Sequence, residues 1–397
     1  MGNVPKLRFP EFTGEWKEER LDEIATLSKG VGISKEQLSN DGEPCILYGE
    51  LYTKYKSEII KEVDSRTNID NSKLKRSKAN DVIIPCSGET AVDIATARCV
   101  PFDNILLGGD LNIISLYQYD GAFMSYQLNG KRKYDIAKVA QGVSVVHLYG
   151  EHLKAISTYN PCLQEQQKIA KLLSLLDERI ATQNKIIEDL KKLKSAIIEK
   201  TFNENHSNKI RLGDVGSYIR GLTYSSDDVV EHNGIFTMRS NNIVNGSSLD
   251  YHNNIVSVNK QILTEQQLQA GDIVICMANG SSSLVGKSSF YDGDCPTPIT
   301  VGAFCGIYRS KEAVVKWLFQ TNKYRRYIWN SLQGGNGAIA NLNGDDILRM
   351  SFSIPATPIK ENRIKLLTSV DTLLENNLSL CSLYISQKLY LLRQLFI

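Results

Sequence analysis

The stretch that decides the fold is residues 163–202, LQEQQKIAKLLSLLDERIATQNKIIEDLKKLKSAIIEKTF, which contains neither proline nor glycine. Pro161 precedes it, as expected near the start of a helix. Two positions of its heptad pattern are mainly apolar, which is typical of a helix that packs along a partner helix. One position holds Leu173, Ile180, Ile187, Lys194 and Thr201, and the other holds Ile169, Leu176, Gln183, Leu190 and Ile197. We therefore predict a long helix here, spanning roughly 60 Å at 1.5 Å per residue.

A second stretch, from about 360 to 396, repeats this seam 194 residues later. Its two positions hold Leu367, Leu374, Cys381, Lys388 and Leu395, then Arg363, Val370, Asn377, Tyr384 and Leu391. Two polar interruptions recur, because Gln183 matches Asn377 and Lys194 matches Lys388. A polar residue in an apolar seam fixes helix register, so we predict a coiled-coil pair whose register these four residues set. Two unrelated amphipathic helices, each on its own domain, would not explain the matched polar breaks.

The segments before the two helices also repeat, at a spacing of about 190 residues. Residues 20–24, RLDEI, reappear as 211–215, RLGDV, and residues 80–83, NDVI, reappear as 271–274, GDIV. Short β-type runs fill both segments and are separated by Gly, Asn and Asp turns. The predicted fold class is α+β: two α/β domains joined by two long helices that form a coiled coil, with a pseudo-two-fold internal repeat. The predicted boundaries are 1–159 and 204–354 for the domains, and 160–203 and 355–397 for the helices.

The bulk composition is that of a globular protein, with 397 residues, 42% of them hydrophobic and 23% charged. No apolar run reaches the length of a membrane span, and the opening MGNVPKLRFP lacks the apolar core of a signal peptide. We therefore expect a cytoplasmic protein without membrane contact. Eight cysteines and five histidines are scattered without metal-ligand spacing, which predicts no metal site. The net charge of +2 neither favours nor excludes nucleic acid, because a DNA reader needs only a local basic face.

No catalytic signature is found in the sequence. An adenine methyltransferase would need an N-P-P-Y-type loop, and the nearest match, residues 160–162, NPC, lies at a helix entrance. Residues 280–288, GSSSLVGKS, resemble a phosphate-binding loop, but one residue too many separates the glycines and a turn follows instead of a helix. No G-x-S-x-G motif supports a hydrolase. We predict that the chain is not an enzyme by itself and binds no cofactor or metal.

Two motifs resemble a known family. Residues 4–10, VPKLRFP, with Trp16 and residues 21–24, LDEI, are similar to the opening shared by many type I restriction-modification specificity subunits. Residues 160–170, NPCLQEQQKIA, resemble the entrance to the first conserved helix of that family, whereas the second copy, 358–364, PIKENRI, is degraded and lies two residues closer to its heptads. The resemblance covers the whole chain. It implies two target-recognition domains at opposite ends of an antiparallel coiled coil. Each domain would read one half of an interrupted double-stranded DNA target.

The same resemblance implies the partners. Two methyltransferase (modification) subunits would dock on the chain and methylate adenine N6, and two restriction (motor-nuclease) subunits would join them for cleavage. S-adenosylmethionine, ATP and Mg are then expected on those partner subunits. Two other readings of the sequence stay open: a coiled-coil scaffold that binds only protein, and a duplicated two-lobed enzyme that does not act on DNA. The scaffold does not explain two elaborated domains with basic loops, and the enzyme would need convergent acids or a nucleophile.

Candidate DNA-binding residues follow from the chemistry of duplex recognition, in which Lys and Arg bind phosphates, and Arg, Asn and Gln read bases. In the first domain, the phosphate candidates are Lys73, Lys75, Arg76, Lys78, Lys131, Arg132 and Lys133. Its base-reading candidates are Tyr48, Tyr52, Lys54, Tyr55, Lys56, Ser87 and Arg98. In the second domain, the phosphate candidates are Arg220, Tyr224, Lys287, Lys323, Arg325 and Arg326. Its base-reading candidates are Arg239, Ser240, Asn241, Asn242, Asn279 and Ser281.

Overall fold

The computed structural model describes residues 2–70, 72–142, 145–202, 208–332 and 339–397. The chain divides into two compact units. The first unit contains Met1–Lys185 and Leu378–Ile397, and the second contains Ile186–Asn377. Two long helices, Leu163–Phe202 and Thr357–Gln394, each contribute residues to both units. Sheets and shorter helices make up the rest of each unit, so the predicted α+β class with two long helices is confirmed.

The first unit contains a four-stranded and a five-stranded sheet. Its strands are β1 (Lys17–Arg20), β2 (Ala25–Lys29), β3 (Leu38–Ser39), β4 (Glu43–Ile46), β5 (Arg66–Thr67), β6 (Lys75–Arg76), β7 (Asp81–Pro85), β8 (Ser87–Gly88), β9 (Arg98–Val100), β10 (Leu106–Leu107), β11 (Leu111–Leu116), β12 (Val146–His147) and β13 (Ser157–Asn160). Its helices are α1 (Leu21–Ile24), α2 (Glu50–Thr53), α3 (Ala91–Ile94), α4 (Gly121–Asn129), α5 (Lys133–Val139) and α6 (Gly150–Lys154), followed by the long α7 (Leu163–Phe202). The sheet orders are β2-β11-β7-β9 and β3-β5-β4-β10-β6.

The four-stranded sheet of the first unit is buried on both faces. Successive side chains of a strand point to opposite faces, and β7 uses this alternation fully. Val82 and Ile84 pack in one core with Met124 of α4. Ile83 lies in a separate core with Ile46 of β4. The sheet therefore anchors α4 on one side and the five-stranded sheet on the other.

The second unit has the same organisation. Its strands are β14 (Asn208–Arg211), β15 (Gly216–Arg220), β16 (Val229–Val230), β17 (Ile235–Met238), β18 (Val256–Val258), β19 (Ile273–Cys276), β20 (Ala278–Asn279), β21 (Ser288–Phe290), β22 (Ile299–Val301), β23 (Cys305–Ser310), β24 (Ala340–Asn341) and β25 (Ser351–Ile354). Its helices are α8 (Leu212–Val215), α9 (Val315–Leu318), α10 (Asn322–Ser331), α11 (Gly344–Arg349) and the long α12 (Thr357–Gln394). The sheet orders are β15-β23-β19-β21 and β16-β18-β17-β22.

The internal repeat is confirmed in the sheet order and in the turn before the central strand. The order β2-β11-β7-β9 of the first unit corresponds to β15-β23-β19-β21 of the second. Asn80 and Gly271 are the first residues of the repeated motif, and each lies in the turn before the strand. Both have positive φ, +82° and +90°. Asn and Gly are the residues that adopt this left-handed region most readily. The next residues, Asp81 and Asp272, are buried, and each accepts a backbone hydrogen bond at 2.8 Å.

Helix α12 begins earlier than the sequence pattern indicates. The prediction placed its start near residue 360, after Pro358, whereas the helix starts at Thr357. Proline is accepted in the first helical turn, because the amide hydrogen that it lacks would have no partner there. Helix α7 spans the predicted residues.

The two long helices run antiparallel within each unit. In the first unit, Leu173 near the start of α7 shares a core with Leu392 near the end of α12. In the second unit, Ile198 near the end of α7 shares a core with Leu367 near the start of α12. Ile198 and Leu392 are buried, whereas the heptad pattern predicted burial of the adjacent residues Ile197 and Leu391. The buried face shifts because an α-helix with 3.6 residues per turn drifts from a strict seven-residue repeat.

Candidate nucleic-acid interface

Each unit has a loop at the same place, after strand β7 in the first unit and after strand β19 in the second. A short two-stranded sheet holds each loop. In the first unit, residues 87–90, SGET, begin with β8, which pairs with β12. In the second unit, residues 279–282, NGSS, begin at the last residue of β20, which pairs with β24. The strand pairs therefore present equivalent loops whose side chains differ in charge and hydrogen-bonding groups.

Four predicted base-reading residues of the first unit line one cavity of about 680 Å³: Tyr48, Tyr52, Ser87 and Arg98. Tyr52 extends from α2, and its hydroxyl donates to the carbonyl of Ser87 at 2.9 Å. This hydrogen bond connects α2 to the loop at residues 87–90. Burial raises the pKa of Tyr52, so the hydroxyl stays protonated and remains a donor. Tyr48 is exposed at the rim.

Arg98 lines this cavity and is held in place by hydrogen bonds to backbone carbonyls. Its Nε and Nη2 atoms donate to the carbonyl of Tyr55 at 3.1 and 3.0 Å, and its Nη1 atom donates to the carbonyl of Ala97 at 2.9 Å. Burial lowers its pKa, although the nearby carboxylates of Glu58 and Asp177 oppose that effect. The Tyr55 ring is buried in the core. Arg98 thus forms part of the cavity wall, and a base contact by Arg98 would require exchange of these hydrogen bonds. A base contact by Tyr55 would require its ring to leave the core.

Lys54 and Lys56, two more base-reading candidates, contact neighbouring protein groups. The Nζ atom of Lys54 lies 3.5 Å from carboxylate oxygens of both Glu50 and Asp64. Lys54 also lines a second cavity of about 820 Å³, to which Tyr48 contributes. The Nζ atom of Lys56 donates to the carbonyl of Tyr52 at 3.3 Å.

The phosphate candidates of the first unit separate into unpaired lysines and paired arginines. Among the described residues, no ion-pair partner is found for Lys73, Lys75, Lys78, Lys131 or Lys133. Arg76 pairs with Glu43 at 2.6 Å. Arg132 pairs with Asp135 at 3.3 Å and donates to the carbonyl of Ile397 at 3.0 Å. The lysines therefore keep an uncompensated positive charge, which is the property that phosphate binding requires.

The base-reading candidates of the second unit come from two loops that meet. The amide Nδ2 of Asn279 donates to the hydroxyl of Ser240 at 3.3 Å. Asn242 is fully buried and donates to the carbonyls of Asp250 and Asn253, at 3.0 and 2.8 Å. Its amide thus fixes the loop. The remaining candidates, which sit on the surface of these loops, are Arg239, Asn241 and Ser281.

Two phosphate candidates of the second unit, Lys287 and Arg325, line a common cavity of about 360 Å³. Lys323 is half-buried, with its Nζ atom 5.9 Å from the Tyr327 ring centre and 5.6 Å from that of Phe352. The other phosphate candidates lie elsewhere on the surface: Arg220, Tyr224 and Arg326.

One predicted register residue, Lys388, joins a buried ion network in the first unit. Its Nζ atom lies 2.5 Å from Oε2 of Glu58 and 2.6 Å from Oδ1 of Asp177 on α7. The hydroxyl of Tyr126 donates to the other Asp177 oxygen at 2.6 Å. Burial works to lower the pKa of Lys388, but the two carboxylates outweigh it and the pKa is raised. Burial raises the pKa of Glu58.

The second unit contains the counterpart of this network with the opposite excess of charge. Lys194 of α7 lies 2.5 Å from Oδ1 of Asp371 on α12, and Lys316 lies 2.7 Å from its Oδ2. Lys194 also donates to the carbonyl of Gly246 at 2.8 Å. Burial lowers the pKa of Lys194 despite its hydrogen bond to Asp371. One carboxylate is thus shared by two lysines here, whereas one lysine is shared by two carboxylates in the first unit.

The sequence interpretation found Lys194 and Lys388 and missed Lys316 and the acidic partners. Asp177 and Asp371 are also 194 residues apart, as Lys194 and Lys388 are, so the same shift would have identified them. The other two predicted register residues are less clearly defined. Gln183 is buried and lines a groove with Tyr384, and Nδ2 of Asn377 donates to the carbonyl of Leu373 at 2.6 Å. Their role in register stays a prediction.

Among the residues that the structure describes, no group of three or more His, Cys, Asp or Glu side chains is arranged to hold a metal ion. No described helix is both long and apolar enough to cross a membrane.

Comparison with known proteins gives a consistent result. Residues 13–192 match the family model described as type I restriction modification DNA specificity domain. The type I restriction enzyme EcoKI specificity subunit of Escherichia coli (strain K12) is 34% identical over 171 residues, which are 40% of this chain and 34% of that protein. The match thus spans about a third of that curated relative.

Two solved structures share the fold over nearly the whole chain. The type I restriction-modification S subunit from M. genitalium has a TM-score of 0.65 at 17% identity, and covers 99% of both chains. The second structure has a TM-score of 0.54 at 13% identity, over 96% of this chain and 97% of the other. Its description is "Structural basis underlying complex assembly and conformational transition of the type I R-M system". Residues 13–192 thus match the type I restriction modification DNA specificity domain in sequence, and the whole chain shares the fold of these two solved structures.

Proposed function

We propose that this chain reads a bipartite DNA target and positions methyltransferase and restriction subunits on it, for adenine N6 methylation or cleavage. The observation that carries the proposal is the pair of equivalent loops, residues 87–90 and 279–282, on a repeated scaffold. Two copies of one fold with different loop chemistry suit two readers of different half-sites, because base identity is read by the donors and acceptors that a side chain offers.

Unpaired positive charge supports DNA as the ligand. Lys131 and Lys133 in the first unit, and Lys287 and Arg325 in the second, form no ion pair with described residues. Phosphate contacts of this kind release counterions, so affinity should fall steeply as salt rises.

An exposed apolar stripe supports docking of partner subunits. Ile359, Leu366 and Leu373 follow each other at seven-residue intervals on α12 and are all exposed. Apolar side chains at this spacing lie on one helix face, and a contiguous exposed apolar face is typical of a protein-binding surface. The partners proposed are two methyltransferase subunits and two restriction subunits. S-adenosylmethionine, ATP and Mg would then be bound by those partners, and this chain would carry no chemistry by itself.

Sequencing of adenine methylation tests the proposal. The chain is expressed with its methyltransferase subunit in a host, and the methylome is compared with that of the same host lacking this gene. We expect one interrupted motif, methylated on adenine in both halves, to disappear without the gene and to return on complementation. A continuous motif would refute the bipartite reading, and an unchanged methylome would refute the proposed function. Catalytic activity of the purified chain alone would favour the enzyme alternative.

A further inference from the structure

Helix α10 exposes a face that combines positive charge with a large aromatic side chain. Tyr324 and Ile328 bury the opposite face, whereas Arg325, Arg326 and Trp329 are exposed. The Trp329 side chain is 71% exposed, against 2% and 1% for the other two tryptophans of the chain, Trp16 and Trp317. Tryptophan is a strongly hydrophobic residue that is usually buried or used for binding. Its position on this face needs an explanation.

Trp329 forms one wall of the cavity of about 360 Å³ that Lys287 and Arg325 also line. We call this the Trp329 cleft. Its floor is apolar and includes Val285 and Phe319. Its other polar lining residues are neutral: Asn245, Ser282, Ser283 and Tyr324. The lining contains no Asp or Glu, so two cations face an open apolar space without a compensating acid.

The cleft is built by close packing of a loop on α10. Gly286 has a φ of +79°, and a Cβ atom at this position would lie 2.7 Å from Ile328. Only glycine permits this approach together with that backbone conformation. The buried hydroxyl of Tyr324 donates to the carbonyl of Gly286 at 2.9 Å. Lys287 is therefore held at a fixed place beside the helix.

The repeat supplies an independent observation. Tyr134 and Lys138 of α5 are 191 residues before Arg325 and Trp329, which is also the spacing between Asn80 and Gly271. Each pair combines one exposed aromatic residue with one exposed cation four residues away on a helix. The aromatic residue comes first in α5 and the cation comes first in α10. Tyr134 is 66% exposed. Lys138 lies 3.7 Å from Asp135, so its charge is partly compensated, unlike that of Arg325. Both units thus keep this surface feature, and only the second adds the uncompensated cleft.

We propose that the Trp329 cleft binds one unpaired nucleotide of a DNA strand, with its phosphate between Lys287 and Arg325 and its base against the Trp329 indole. The inference rests on the proposed function, because it assumes that the chain binds DNA. Cations without acid partners select an anion, and an exposed indole offers a flat surface on which any base can stack. The cleft would strengthen DNA binding without selecting a sequence, since stacking is tolerant of base identity.

Quenching of tryptophan fluorescence by acrylamide tests the inference on the full chain. Trp16 and Trp317 are buried, so the quencher reports mainly on Trp329. The probes are a duplex and a single strand of about 20 nucleotides, long enough to cover a reading domain, and ATP as a free nucleotide. We expect the single strand to protect Trp329 from the quencher more strongly than the duplex does, because its bases are free to stack, and added salt to reverse the protection. ATP should protect it only at far higher concentration.

Affinity measurements on variants complete the test. Trp329→Ala should weaken DNA binding roughly ten- to hundredfold, and Trp329→Phe should weaken it less. Lys287→Ala should lower the slope of log affinity against log salt by about one. Lys311→Ala is the matched control, because this exposed lysine of the second unit lies outside the cleft lining, and it should change affinity less than twofold. Circular dichroism verifies that the variants keep their fold.

The outcomes separate this inference from the proposed function. If the chain binds DNA with a clear salt dependence but Trp329 stays accessible and Trp329→Ala binds equally well, the cleft assignment is wrong and the proposed function stands. Protection by ATP but not by DNA would overturn the DNA strand as the ligand. If the full chain does not bind DNA, both proposals fail together.

Discussion

Substitution of Lys388 by methionine tests whether the buried ion networks fix the long helices to their units. Methionine keeps the length of the side chain and removes its charge. In the first unit, this leaves the carboxylates of Glu58 and Asp177 buried beside each other, because Lys388 is within 2.6 Å of both. Removal of one partner from a buried ion pair typically costs about 3–5 kcal/mol. We expect a loss in the free energy of unfolding within that range.

The equivalent substitution in the second unit should cost less. Lys194→Met removes one of two lysines on Asp371, and Lys316 remains 2.7 Å from that carboxylate. The loss is then closer to that of one hydrogen bond to a charged group, about 1.5–3 kcal/mol. The repeat thus provides two matched substitutions, and the ranking of their losses follows from which charge is left alone.

The loss caused by Lys388→Met should also depend on pH. Burial already raises the pKa of Glu58 in the folded chain. An acid with a raised pKa contributes stability below its ordinary value, and that stability is lost as pH rises through the folded value. Removal of Lys388 raises the pKa of Glu58 further, so the loss should be largest near neutral pH and should shrink as pH falls toward the ordinary range for Glu. Glu58→Gln in the Lys388→Met background should recover part of it.

Urea denaturation of the full chain at several pH values provides the measurement. Lys185→Met is the control, because this exposed lysine of α7 has no ion-pair partner among the described residues, and it should cost no more than about 1 kcal/mol. A loss below about 1 kcal/mol for Lys388→Met, well under the buried-pair range, would refute the reasoning. Equal losses for the Lys388 and Lys194 variants would refute it as well.

Three further outcomes are expected. Exchange of residues 1–159 for the corresponding domain of another specificity subunit should change one half of the methylated motif, and methylome sequencing that finds both halves changed would contradict separate readers. Insertion of four residues, about one turn, into each long helix should lengthen the preferred spacer by about one base pair or more, so an unchanged spacer in an active mutant would show that the helices do not set it. Replacement of Lys131 and Lys133 by alanine should lower the slope of log affinity against log salt by about two in a filter-binding assay. An unchanged slope would show that neither lysine contacts phosphate.

The long helices and the repeat could be predicted from sequence because both are visible as periodicity. Seven-residue spacing identifies a buried helix seam without knowledge of the partner, and the shift of 194 residues then relates the two seams. The start of α12 was placed too late because Pro358 was expected to precede the helix, although proline is accepted in a first turn.

The surface chemistry could be predicted only in part. Residue type suggested that Arg98 and Asn242 read bases, yet the hydrogen bonds of both go to backbone carbonyls. Whether a polar side chain turns inward depends on loop packing, which has no local signature. Lys287 and Arg325 were chosen for their charge, but their common cleft with Trp329 is a tertiary contact between segments that are about 40 residues apart.

The division of the chain between the units has a consequence for protein synthesis. Leu392 and Phe396 pack on Trp16 and Phe123 in the core of the first unit. A ribosome synthesises a chain from its N-terminus at about 5–20 residues per second. Residues 186–377 are therefore made before Leu392 and Phe396 are available to complete this core. A premature stop codon just after residue 377 would spare the second unit and leave the first, although it is translated earlier, without its closing helix segment. The nascent first unit must therefore wait, with Trp16 and Phe123 uncovered, while the second is made, and chaperones that bind exposed aromatic surface would meet it during that interval.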